Sequence, residues 1–126
     1  MNRCIDTNPI DPRILEDADR IRNILPNLRS VALFGSCTWQ SPDVSNDVDL
    51  ALFMDGPQIG SVERALRQYK FNFDLKRGRI SASYSGGGGI SAVSPAQKAY
   101  DIVVLDHDHP DEQFMKRSRD TLVYLP

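Results

Sequence analysis

Apolar positions along the chain alternate between helical and strand spacing. From Asp11 onward, Ile14, Leu15, Ala18, Ile21, Ile24 and Leu25 recur every three or four residues, the signature of one helix face. Asp11 is placed to cap that helix, Pro12 occupies its first position, and Pro26 follows its last apolar residue. "SVALFG", residues 30–35, is a short apolar run closed by glycine, as a buried strand would be. "DVDLALF", residues 47–53, is a second such run, ended by the turn signal "MDGP". A helical pattern starting at Ser61 runs through Val62, Ala65, Leu66 and Tyr69. "AYDIVVLD", residues 99–106, reads as the third strand. Pro110 opens a last helix containing Phe114 and Met115, and "TLVYL" reads as a short terminal strand. Strands alternating with helices predict an α/β (α+β) fold, a small mixed β-sheet covered by helices.

Residues 71–98 depart from this alternation. "FNFDLKRGRISASYS" and "ISAVSPAQKA" flank four consecutive glycines, Gly86 to Gly89. The flanks suit a β-hairpin, and the glycines predict a mobile tip, because glycine loses more backbone freedom on ordering than any other residue. A phosphate-cradling P-loop is the sharper alternative, but no Lys-Ser/Thr pair follows the glycines.

Size and composition narrow the class. A chain of 126 residues is expected to form a single domain over 1–126, with the segment at about 71–98 as a Gly-rich insertion. Hydrophobic content of 40%, charged content of 25% and a mean hydropathy of -0.38 are those of a globular chain. The first residues lack the apolar stretch of a signal peptide, and Cys4 and Cys37 are too few for a disulfide framework, so a cytoplasmic location is expected. A net charge of -2 provides no overall basic footprint for a long nucleic acid. The acids are mostly short: 14 Asp against 3 Glu, so any aspartate pair has to be weighed against ordinary turn usage.

Two aspartates stand out by position. Asp47 and Asp49 flank a single valine where the second apolar run begins. In a strand, residues i and i+2 point to the same side, about 6.6 Å apart along the chain. Two like charges held so close repel unless a cation lies between them. Paired carboxylates suit Mg2+, which prefers oxygen ligands and shares its coordination with phosphates. At the end of the preceding strand, Gly35 permits close backbone approach, and Ser36 can start a short helix, "SCTWQ", whose free N–H groups would favour phosphate. Metal ligands beside a phosphate cradle are the parts that nucleotide phosphoryl chemistry uses.

Gly35-Ser36, ten intervening residues and Asp47-x-Asp49 resemble the signature of the minimal nucleotidyltransferases, in the DNA polymerase β-like nucleotidyltransferase superfamily. The tail "YDIVVLDHDHPDEQFMKRSRDTLVYL" is similar to the family's ending, a strand with a third carboxylate, a helix and a closing apolar run. The resemblance covers residues 9–56 and 99–125. It implies the polymerase β-like fold and Mg2+-dependent transfer of a nucleoside monophosphate from an NTP, ATP by expectation, to an acceptor. Asp47 and Asp49 match the metal-binding aspartates, and Gly35 and Ser36 match the pair that holds the nucleotide's phosphates. Asp101 matches the third carboxylate, which binds metal and helps activate the acceptor, with Asp74 as its rival. Family members of this size modify a protein, a tRNA end or another small acceptor, and some are antitoxins of a HEPN-type toxin. A non-catalytic antitoxin that keeps the fold and masks its partner is the alternative. Cys37, where many members carry Arg, and Gln40, where Gly is common, depart from the pattern.

Other features have plainer readings. "DHDH", residues 106–109, is read as a polar loop capping the last helix, since no further His or well-placed Cys completes a zinc set. The basic runs Lys76-Arg77-Arg79 and Lys116-Arg117-Arg119 are read as solvated faces that could also meet triphosphate or RNA. Trp39 suits either stacking on a base or filling space between strands.

Overall fold

The computed structural model describes residues 10–35, 48–56, 59–72, 83–84, 87–95 and 97–126. In chain order the elements are α1 (Pro12–Ile24), β1 (Leu28–Phe34), β2 (Val48–Met54), α2 (Ile59–Gln68), β3 (Ser83–Tyr84), β4 (Gly87–Val93), β5 (Ala99–Asp106), α3 (Glu112–Ser118) and β6 (Val123–Tyr124). The strands form one mixed sheet in the order β3-β4-β5-β2-β1-β6. Only β2 and β5 run parallel, and every other pair is antiparallel. The fold is therefore α+β, as the alternating pattern predicts.

Local chemistry accounts for the helix starts. The Asp11 carboxylate accepts a hydrogen bond from the Arg13 backbone N–H at 2.8 Å and closes the first turn of α1. Arg13 also pairs with Asp11 through its side chain, and that hydrogen bond holds the Asp11 carboxyl at a pKa of about 2. Asp111 caps α3 in the same way, accepting from the Phe114 N–H at 2.8 Å. The "DHDH" stretch is a turn in which Asp106 accepts from the Asp108 N–H. Among the described residues, no group of three or more His, Cys, Asp or Glu could hold a metal ion.

Strand alternation divides the apolar side chains between the two faces of the sheet. One face carries Val31, Leu33, Leu50, Leu52, Ile102 and Val104, and packs under α1 and α2 through Ile14, Ile21, Val62 and Leu66. The other carries Ala32, Ala51, Phe53, Val103 and Leu105, covered by α3 through Phe114. The second cluster is smaller, and the ends of its strands hold polar residues.

The glycine segment is where the structure departs from expectation. Gly87, Gly88 and Gly89 belong to β4, with Gly88 opposite Val104 and Gly89 opposite Val103 of β5. A hairpin does form, β3 against β4, with Gly87 to Gly89 opening its inner strand, while Gly86 lies outside the described residues. The entropic cost of Gly88 and Gly89 is offset by their ladder pairing with β5, a tertiary partner that local composition does not reveal. Ile90 and Ala92 of this strand are buried in the larger core. The segment is thus part of the sheet. Replacing residues 82–92 with a short turn would strip β5 of its neighbour, so it could not leave the rest of the domain unchanged.

Candidate active site

Asp49 and Asp101 occupy equivalent positions near the starts of β2 and β5. The parallel ladder pairs them directly, in a register that runs from Val48 with Tyr100 to Met54 with Asp106. Adjacent strands lie about 4.8 Å apart, and directly paired residues share a face. That face is the α3 side, because the flanking Val48, Leu50, Tyr100 and Ile102 all belong to the opposite core. Both aspartates are half-buried.

β1 and β4 complete the surroundings of this pair. On one side, Phe34 at the end of β1 lies opposite Asp49. Gly35 follows at φ +74, in the left-handed region, and its missing side chain matters. A Cβ built there would collide with Oδ2 of Asp49 and come within 3.1 Å of its Cγ. The Gly35 N–H donates to Thr121 Oγ1 at 3.3 Å, tying the end of β1 to the segment after α3. On the other side, Ser91 of β4 lies opposite Asp101, and its hydroxyl donates to Asp101 Oδ1 at 2.8 Å. That bond fixes one oxygen of the carboxylate and leaves the plane of the group set by β4.

The structure thus brings Gly35, Asp49 and Asp101 together at one end of the sheet. Ser36, Asp47 and the rival Asp74 lie outside the described residues, as do Cys37, Trp39 and the Lys76-Arg77-Arg79 run. Ser91 and Thr121 were not legible as site residues, because each is a lone hydroxyl in an unremarkable context. Only the ladder and the docking of α3 place them.

A second polar group lies on the opposite face. Asp17 of α1 is only 2% exposed. It accepts from the Tyr100 hydroxyl at 2.7 Å and from the Tyr69 hydroxyl at 3.4 Å. Burial raises the Asp17 pKa, and the hydrogen bonds from Tyr100, Ser94 and Tyr69 partly oppose that rise. Burial and the neighbouring Asp17 also push both tyrosines up. Tyr100 immediately precedes Asp101, so this buried contact ties α1 to the strand that carries the carboxylate. A lone Asp in a helix gave no sign of this role beyond its place among apolar residues at helical spacing.

No family profile and no curated protein matches the chain. Two solved structures are similar in fold. One is a cytoplasmic RNA terminal U-transferase, 19% identical over 79% of this chain and 32% of that one, with a TM-score of 0.46. The other is terminal uridylyl transferase 4 from Trypanosoma brucei with bound UTP and UMP, 16% identical over 81% of this chain and 36% of that one, with a TM-score of 0.47. The chain spans about a third of the length of either protein. No helix among the described residues is long and apolar enough to cross a membrane.

Two carboxylates paired across parallel strands form an oxygen-only donor set. Mg2+ is commonly held by one or two carboxylates together with substrate phosphates, so Asp49 and Asp101 fit such an ion.

Proposed function

We propose that the chain is a Mg2+-dependent nucleotidyltransferase that moves a nucleoside monophosphate from an NTP to an acceptor hydroxyl and releases pyrophosphate. The direct pairing of Asp49 with Asp101, with Gly35 backed against Asp49, is the observation that carries this reading. It gives Asp49 of the signature and Asp101 of the similar tail, widely separated in the chain, a shared position on one face. Asp49, Asp101 and, by the signature, Asp47 would hold the metal. When bound, Mg2+ neutralises charge on the triphosphate and on the leaving pyrophosphate.

The protein's own groups position and exchange protons. By the signature, Gly35 and Ser36 would hold the nucleotide's phosphates, and a side chain at residue 35 would displace the Asp49 carboxylate. Ser91 holds Oδ1 of Asp101 and leaves Oδ2 for the acceptor's proton. Asp101 takes the acceptor's proton as the new bond to the α-phosphorus forms and the bond to the pyrophosphate oxygen breaks. The acceptor's class is proposed from the family resemblance: a protein, a HEPN-type toxin among them, or an RNA end.

Incubation with each α-labelled NTP, Mg2+ and candidate acceptors tests the reading by showing which molecule gains label. Label transfer that requires Mg2+ and disappears in Asp49→Asn and in Asp101→Asn is expected. Tight masking of a partner with no NTP binding would instead establish the non-catalytic alternative.

A further inference from the structure

On the sheet face that carries Asp49 and Asp101, a cavity of about 280 Å3 opens between the end of β1, β5 and α3. It is just below the roughly 300–1,000 Å3 typical of drug-sized small-molecule sites. Its walls are apolar: Phe34 and Phe114 meet edge to face at 5.0 Å, with Val103 on the β5 side. Phe34 is the cross-strand partner of Asp49, and Val103 follows Asp101 by two residues on the same face. Ala51 of β2, the cross-strand partner of Val103, belongs to the same apolar cluster.

The polar rim is short of donors. The Ser118 hydroxyl donates to the Phe114 carbonyl at 2.7 Å, and the Thr121 hydroxyl donates to the Ser118 carbonyl at 3.4 Å. The hydroxyl protons are therefore committed to backbone, and Thr121 Oγ1, which also accepts from the Gly35 N–H, keeps one lone pair as an acceptor. Arg117, exposed at the mouth, has no hydrogen bond or ion pair among the described residues. A cluster of phosphates calls for several donors, and this rim offers one guanidinium. A flat ring with apolar faces and polar edges matches what is present: aromatic walls, accepting oxygens, and a planar cation able to stack or donate.

We infer that this cavity receives the base of the nucleotide whose triphosphate lies at Asp49 and Asp101. The inference rests on the nucleotidyltransferase reading and adds to it the place of the base. Arg117 is a contact to the base, and Val103 and Phe114 set the thickness of the slot.

The experiment compares the binding of each NTP with that of inorganic tripolyphosphate, both with Mg2+, by calorimetry. Wild type, Arg117→Gln and Val103→Met are the proteins used. Losing a stacking or edge contact to the base costs about tenfold in affinity. The expected result is that both substitutions weaken NTP binding by about tenfold and leave tripolyphosphate within about twofold. Arg117 is exposed, so Arg117→Gln stays interpretable even if Val103→Met packs poorly. Equal weakening of NTP and tripolyphosphate in Arg117→Gln would place phosphate in the cavity and overturn the inference alone. Unchanged NTP binding in Arg117→Gln and in a folded Val103→Met would also overturn it, with the nucleotidyltransferase reading intact. Wild-type protein that binds neither probe would remove both.

Discussion

Substitution of Gly35 by alanine tests the close approach on which the candidate site depends. Gly35 sits at φ +74, and an L-residue held in that region costs roughly 1–2 kcal/mol. The new methyl group would also meet the Asp49 carboxylate, which must rotate away from its position. Driving a side chain off its rotamer adds about 0.5–1.5 kcal/mol. Gly35→Ala should therefore cost about 2–3 kcal/mol in wild type. In an Asp49→Ala background the obstructing oxygens are gone and the nearest remaining atom, Asp49 Cβ, would lie at 3.5 Å, an ordinary contact. There the cost should fall to the backbone strain of about 1–2 kcal/mol, a coupling of about 1 kcal/mol. Urea unfolding of the four proteins of this cycle measures that coupling directly. In parallel, Gly35→Ala alone should lose nucleotidyl transfer, because the displaced carboxylate can no longer face Asp101. A cost that is identical in both backgrounds would refute the Gly35–Asp49 contact, and with it the account of why residue 35 has no side chain.

Other expected outcomes follow from particular contacts. Asp49→Asn combined with Asp101→Asn should abolish transfer while the melting temperature stays level or rises, since removing paired like charges relieves repulsion; thermal unfolding beside the label-transfer assay decides it. Ser91→Ala should lower kcat by about tenfold with the NTP KM unchanged, because the hydroxyl orients Asp101 without touching the nucleotide, and Ser91→Thr should recover much of the loss. Tyr100→Phe removes the stronger of the two phenol donors to buried Asp17 and should cost about 1–3 kcal/mol by urea unfolding, with near-normal stability refuting the contact. Asp17 has a folded pKa raised above 3.8, so its share of stability is greatest below about pH 3.8 and falls as pH rises through the raised value. Asp17→Asn should flatten that part of the stability profile, and an unchanged slope would locate the titration elsewhere.

The sequence by itself determined most of the elements and the addresses of two candidate aspartates. Period and capping residues are local signals, so α1 from Pro12, β5 from Ala99 to Asp106 and the apolar run of β2 could be read directly, and Asp49 and Asp101 could be placed near strand starts. Nothing local states which strands become neighbours. That β2 lies parallel to β5 with Asp49 opposite Asp101, and not shifted by a residue that would turn the carboxylates to opposite faces, was decided by burial of Leu50, Leu52, Ile102 and Val104 under α1 and α2. The same packing placed Gly88 and Gly89, expected in a loop tip, in a strand, because β5 supplied partners for their backbone. It also brought Ser91 to Asp101, Thr121 to Gly35, and Tyr100 to Asp17, contacts whose members lie from 10 to 86 residues apart. A lone hydroxyl or carboxylate acquires a role only through its neighbours, and those neighbours exist only once the sheet and helices have packed.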